Sequence, residues 1–152
     1  MSALYTLRAA TANDAAAIVL LCRLLAEFER LPGPDDAAAA RFADDLARSP
    51  APCEALVAEQ DGAVVAYAVF FASYSTFLAR PGIYLEDLFV HPRARRLGIA
   101  RAMLDRLVEL GRERGCARLE WQVLRWNEGA IRLYEHLSAH RQDDWVGYRL
   151  DL

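Results

Sequence analysis

Apolar residues recur along this chain with two periods, one near 3.6 and one of 2, and the switches between them mark out ten elements. Tyr5 to Arg8 alternates and predicts a first strand. Thr11 followed by Asp14 has the spacing of a capping box, and Ile18, Leu21, Cys22, Leu25 and Phe28 follow at helical spacing. Leu31-Pro32-Gly33-Pro34 must break that helix. Asp35-Asp36 opens a second, alanine-rich helix that runs toward Arg48 and stops before Pro50 and Pro52. Glu54 to Glu59 and Ala63 to Phe71 read as apolar strands joined by an Asp61-Gly62 hairpin turn. A loop from Ser73 to Gly82 leads to another strand, Ile83 to Val90.

The clearest helix spans Gly98 to Arg114, where Ile99, Met103, Leu107 and Leu110 form a stripe that Leu104 and Val108 thicken. Gly115 supplies its stop. Cys116 to Leu124 alternates, with Leu119, Trp121 and Val123 on one face. Asn127 caps a last helix carrying Ile131, Leu133, Tyr134 and Leu137, and Trp145 to Leu150 is expected to close the chain as a strand. The order β-α-α-β-β-β-α-β-α-β, with no repeat and no linker, predicts one α/β domain over residues 1–152 with a mixed sheet.

Composition narrows the function. Hydrophobic residues make up 55% of the 152, enough for a packed core without disulfides or a structural metal. No apolar run reaches the length of a membrane span, and Met1 to Arg8 lacks the features of a secretory signal, so a cytoplasmic protein is expected. A net charge of −3 gives little support to nucleic-acid or membrane binding. Cys22, Cys53 and Cys116 are widely spaced and read as free thiols. They and His91, His136 and His140 lack metal-ligand spacing, so no metal is expected. All eighteen basic residues are arginine, so no lysine is available as base or Schiff-base amine.

The most informative stretch is Leu85 to Arg101, in which a strand feeds a short basic turn and the turn feeds the strongest helix. Orphan amides and the positive end of the helix dipole make such a junction an anion site, although a basic turn is equally often a solvated cap. Gly98 and Ala100 leave room for phosphate oxygens to approach the backbone, and Arg93, Arg95 and Arg96 raise the local potential. No G-x-G-x-x-G and no Gly-Lys-Ser/Thr is present, so neither a dinucleotide fingerprint nor a P-loop is in play.

Arg95-x-x-Gly98-x-Ala100, after a strand ending Asp87-Leu88-Phe89-Val90, resembles the acetyl-CoA signature of the GNAT N-acetyltransferases. Leu25 to Glu29, Tyr74 to Phe77, Ile83 to Asp87, Trp126-Asn127-Glu128 and Ala130-Ile131-x-x-Tyr134 are similar to its diamine (spermidine/spermine) and thialysine branch, so the likeness covers nearly the whole chain. The resemblance implies the GNAT fold, a mixed twisted sheet flanked by helices on both faces. It also implies acetyl transfer from acetyl-CoA, a co-substrate, to the primary amine of a small molecule, and a homodimer.

The resemblance assigns residues as well. Leu88, Phe89, Val90, Arg95, Arg96, Leu97, Gly98, Ile99, Ala100, Arg101, Asn127 and Ala130 would bind the cofactor, with the backbone of Leu88 to Val90 against the pantetheine arm. Phe28, Glu29 and Glu86 would bind the acceptor. A primary alkylamine, with a pKa near ~10.4, arrives protonated and cannot attack a thioester, so a base is required. Glu86 takes that role by resemblance, directly or through water, and Tyr134 becomes the acid that protonates the leaving thiolate. On residue type alone, Glu86 also reads as a surface carboxylate and Tyr134 as a core tyrosine. Strand alternation would put Asp87 on the sheet face opposite Glu86.

Glu27, Glu29, Asp35 and Asp36 cluster where the first two helices meet, as an acidic lining or a solvated helix end. Four positions depart from the family pattern. Arg96 and Ser138 stand where glycine is usual, Phe28 lacks a tyrosine hydroxyl, and Phe77 replaces a tryptophan. Two alternatives stay open: acetylation of a protein N-terminus or lysine, and a non-catalytic acyl-CoA sensor.

Overall fold

The computed structural model describes residues 4–152. Its strands are β1 Thr6–Ala9, β2 Glu54–Gln60, β3 Ala63–Ser75, β4 Arg80–Val90 and β5 Leu119–Trp121. The helices are α1 Ala15–Glu29, α2 Asp36–Ala47, α3 Ile99–Glu113 and α4 Glu128–His136, and short 3-10 turns occupy Ala12–Asp14 and Pro92–Ala94. The strands form one sheet in the order β1-β2-β3-β4-β5. The first three pairings are antiparallel and β4–β5 is parallel, so the sheet is mixed, as expected. The chain falls into two compact units, one ending at Gln122 and the other spanning Val123–Leu152.

In the first unit the apolar stripe of α1 packs on one face of the sheet. Ile18 and Leu21 join Val57, Tyr67, Val69 and Phe89 in a buried cluster, with Phe42 and Leu46 of α2 against its margin. Side chains alternate across a strand, so Leu56 and Phe70 face the other way, beside Leu110 of α3. The α3 stripe predicted from its period is buried at Ile99, Met103, Leu104 and Leu107. Truncating such a side chain to alanine costs roughly 2–5 kcal/mol.

Local signals behave as the residues dictate. Asp14 accepts from the Thr11 amide at 2.8 Å, and its carboxylate is held by Arg8 at 2.9 Å. Asp61 and Gly62 both have positive φ (51° and 77°), the geometry of the tight primed turn that Asp-Gly favours. The segment read as a loop from Ser73 is instead strand as far as Ser75, paired with Arg80. Pairing across the long β3–β4 hairpin carries the ladder past the end of the apolar run. Gly82 permits this, because a Cβ there would meet Ser73 Oγ at 2.7 Å and the Arg118 carbonyl oxygen at 3.1 Å.

Two expected strands differ. β5 is three residues long rather than the span Cys116 to Leu124. Trp145 to Leu150 is not a strand, and Trp145, Val146, Tyr148 and Leu150 are exposed. Alternation marks a segment able to pair; a strand needs a partner, and among the described residues this one has none.

Candidate active site

β4 is the axis of the site. Its register against β3 pairs Phe70 with Leu85 and Val69 with Asp87, leaving Glu86 without a partner, so Glu86 is the extra residue of a β-bulge. β5 pairs with β4 only at Ile83, Tyr84 and Leu85. From Glu86 to Val90 the strand therefore has a ladder partner on its β3 side alone, among the described residues. Backbone groups along that second edge are a row of donors and acceptors available to an extended ligand. Bulges next to active sites re-aim side chains, and this one sits where the β5 pairing stops.

The bulge resets the alternation along β4 at Asp87. With one residue added, Asp87 falls in line with Val69, Tyr67 and Phe89, on the face that α1 covers. Its carboxylate accepts a hydrogen bond from the buried Tyr67 hydroxyl at 3.2 Å. Burial pushes the Asp87 carboxyl up to about 6, the negative charges of Glu86 and Glu29 add to the rise, and the Tyr67 hydrogen bond opposes it. Glu86 is exposed on the bulge. Glu29, at the C-terminal end of α1, is half-buried, and burial raises its carboxyl too. Burial likewise raises the Cys22 thiol and the Tyr67 phenol, which lie side by side. The first unit thus brings Glu29, Glu86 and Asp87 together, with Phe28 adjoining Glu29.

Beyond β4 the chain makes the predicted basic turn. The His91 amide donates to the Val65 carbonyl at 2.8 Å, and Arg93 N donates to His91 Nδ1 at 3.2 Å. Arg95 turns back on the sheet. Its Nε donates to the Val90 carbonyl at 3.2 Å, and its guanidinium lies 5.9 Å from the Phe28 ring centre and 5.7 Å from that of Phe89. One side chain assigned to the cofactor therefore rests on one assigned to the acceptor. Arg96 and Gly98 both have positive φ, 65° and 79°. The arginine accepts a backbone strained for any residue with a Cβ, at a position where the resemblance leads one to expect glycine.

Gly98 is the N-cap of α3, and no heavy atom lies within 4 Å of where its Cβ would be. The first-turn amides of Ile99, Ala100 and Arg101 are the orphan donors of any helix start, and Gly98 has no side chain to cap them. Leu97, Gly98 and these three residues form an open, donor-rich helix start that follows Arg93 and Arg96 in the chain. The shape and donor set suit a pyrophosphate.

The remaining assigned residues lie in the second unit. Asn127 caps α4, its side-chain oxygen accepting from Ala130 N at 3.3 Å. Tyr134 is half-buried on the same helix. Ser138 ends it with φ of 60°, again at a position where glycine is expected.

Two acidic candidates are accounted for otherwise. Asp35 is the N-cap of α2, accepting from Ala38 N at 2.7 Å, and Asp36 pairs with Arg23 at 3.1 Å. Glu27 is exposed. Among the described residues no group of three or more His, Cys, Asp or Glu side chains is placed to hold a metal. Tyr67 and its hydrogen-bonded partner Asp87 stand beside these candidates without having been named among them. The available signal was a lone phenol inside an otherwise apolar strand beside an Asp-Glu pair, but the bulge that joins them leaves no local mark.

Known proteins are similar to this chain in sequence and in fold. The model of the Acetyltransferase (GNAT) family matches residues 18–138. A thialysine N-epsilon-acetyltransferase of Mus musculus is 32% identical, over 95% of this chain and 91% of the relative. One of Caenorhabditis elegans is 38% identical over 55% of this chain, which spans about half (53%) of that relative. An L-ornithine N5-acetyltransferase of Arabidopsis thaliana is 36% identical over 59% of this chain and 40% of its own length. A possible acetyltransferase from Clostridium difficile 630 has the same fold, with a TM-score of 0.84 at 18% identity and 98% coverage of each chain. The chain belongs to the GNAT family and is an N-acetyltransferase.

Proposed function

We propose that this enzyme acetylates the primary amine of a small cationic molecule by direct attack of the amine on acetyl-CoA. GNAT acetyltransferases use acetyl-CoA. The observation that carries the reading is the coincidence of three features on one stretch of chain: the one-sided β4 edge, the bulged Glu86, and the uncapped start of α3. In this reading Leu97 to Arg101 hold the pyrophosphate, with Arg96 supplying charge. The backbone of Leu88 to Val90 pairs with the pantetheine arm and polarises the thioester carbonyl. Glu86 removes the ammonium proton, directly or through a water. Tyr134 gives its phenolic proton to the departing sulfur, and Asn127 and Ala130 contribute cofactor contacts from α4. Attack on the acetyl carbon forms the carbon–nitrogen bond and breaks the carbon–sulfur bond. The ammonium nitrogen gives up two protons, the first through Glu86 to solvent and the second on collapse of the tetrahedral intermediate, which makes good the proton that Tyr134 hands to sulfur.

The acceptor we propose is a lysine-like amino acid or a polyamine. Thialysine and ornithine, named for relatives, each carry a primary amine at the end of a flexible side chain. A lining of Glu29, Glu86 and Asp87 favours such a cation. The test is CoA release measured with thialysine, ornithine, lysine, spermidine and putrescine side by side. Turnover of at least one of them is expected, and none with a basic peptide of equal charge. We also propose a cytoplasmic homodimer, for which the exposed Trp145, Val146, Tyr148 and Leu150 offer apolar surface; sedimentation equilibrium checks the mass.

A further inference from the structure

The hydroxyl of Tyr67 has no part in the mechanism above, yet the fold spends a fully buried phenol on it. Tyr67 is 0% exposed, in the middle of β3. Its ring packs with Ile18, Leu21, Val57, Val69 and Phe89, which a phenylalanine would do equally well. What the hydroxyl adds is a hydrogen bond to one carboxylate oxygen of Asp87 at 3.2 Å, with the Cys22 thiol on its other side. Asp87 is itself only partly buried, and the Tyr67 hydrogen bond engages one of its two carboxylate oxygens. The bulge places this carboxylate next to Glu86, on the open part of β4.

We propose that Tyr67 is a positioning residue for acceptor recognition: it fixes Asp87 beside the bulged Glu86, so that Asp87 acts as counter-ion to the incoming ammonium. The proposal rests on the reading of this face as the acceptor side. It divides the labour of two adjacent carboxylates. The exposed one exchanges protons with water, and the held one keeps its charge and binds the cation. Without Tyr67 the side chain of Asp87 loses its only hydrogen-bond donor among the described residues, and the ionised form loses its main support.

The groups facing Asp87 make a pH signature. Tyr67 approaches from β3, Cys22 and Glu29 from α1, and Glu86 from β4; the charges acting on it, those of Glu86 and Glu29, are both negative and resist its ionisation. Arg23 of α1 acts on Cys22. Alkylamines stay protonated from pH 5 to 8, so any change in amine affinity across that window comes from the protein.

The experiment compares wild type, Tyr67→Phe and Asp87→Asn, with thialysine as acceptor and saturating acetyl-CoA. Tyr67→Phe keeps the ring in the core, and far-UV CD together with an unchanged acetyl-CoA affinity verifies that the fold is intact. Its KM for the amine is expected to rise roughly tenfold at pH 7, with kcat changed far less. The acid limb of its kcat/KM profile should move to higher pH, because loss of the hydrogen bond raises the Asp87 carboxyl. Carboxyl-carbon NMR with labelled aspartate should show the same upward move without any turnover. Asp87→Asn should match the KM defect and lose that limb. A wild-type protein that turns over no amine overturns the proposed function and this inference with it. Normal wild-type turnover, with Tyr67→Phe sharing its amine KM and its acid limb, overturns this inference alone.

Discussion

Glu86 and Tyr134 are proposed for opposite ends of one proton path, and their substitutions should fail in different ways. Removing the carboxylate in Glu86→Gln leaves the enzyme dependent on amine that is already neutral. Activity should fall about 10²-fold near pH 7 and recover partly above pH 9, where free amine accumulates. Tyr134→Phe removes the proton destined for sulfur. Its loss, again about 10²-fold, should appear in kcat with acetyl-CoA affinity held, when chemistry rather than release is limiting. A Tyr134→Phe enzyme with wild-type kcat across the pH range would make the residue a packing tyrosine. At this scale the sequence alone named these candidates because residue type and family motif were enough. It missed Asp87 because neighbours in a regular strand face opposite ways, and nothing in Leu85-Glu86-Asp87-Leu88 signals the extra residue.

Among the elements, the decisive one is the junction of β4, the basic turn and α3. Arg95 is engaged elsewhere, since its guanidinium lies over Phe28 and Phe89 with its Nε bonded to the Val90 carbonyl. The proposed cradle rests on the uncapped helix start and the bare Gly98. Gly98→Glu brings a carboxylate to the amides that would meet phosphate, and a Cβ to a φ of 79°. Acetyl-CoA binding measured by calorimetry should drop at least a hundredfold while far-UV CD stays native-like, and unchanged affinity would remove the cradle assignment. The helix itself was plain from its apolar stripe and from Gly115. Its start was legible to within a residue, because glycine at the N-cap and its αL backbone are a local property.

For the whole molecule, the largely buried Asp87 carboxyl carries a cost in stability. The Asp87 carboxyl sits at about 6, above an ordinary aspartate near ~3.9, so the folded state takes up a proton that the unfolded chain does not between those values. The stability linked to this group is complete below the unfolded value and lost as pH rises through about 6. Asp87→Asn, which keeps an acceptor for Tyr67 without the buried charge, should therefore stabilise the protein at pH 8 by roughly 1–3 kcal/mol while weakening amine binding. Equilibrium denaturation at pH 5 and pH 8 checks the sign. The gain should shrink toward the lower pH, and a variant less stable than wild type at pH 8 would mean that the charge is better solvated than its burial indicates.

The chain by itself determined the helices, the Asp-Gly hairpin, the mixed α/β class and the bare glycine start of α3, because each is written in contacts a few residues apart. Tertiary structure alone decided three things. Pairing across the β3–β4 hairpin placed the bulge at Glu86 and swung Asp87 onto the face of α1. The parallel ladder with β5 ended at Leu85, which left the other edge of β4 open where the ligand is proposed to lie. The alternating segment Trp145 to Leu150 formed no strand despite its pattern. Register, ladder length and strand partnership depend on which distant backbone presents its amides and carbonyls, and a period of two specifies a face without specifying a partner.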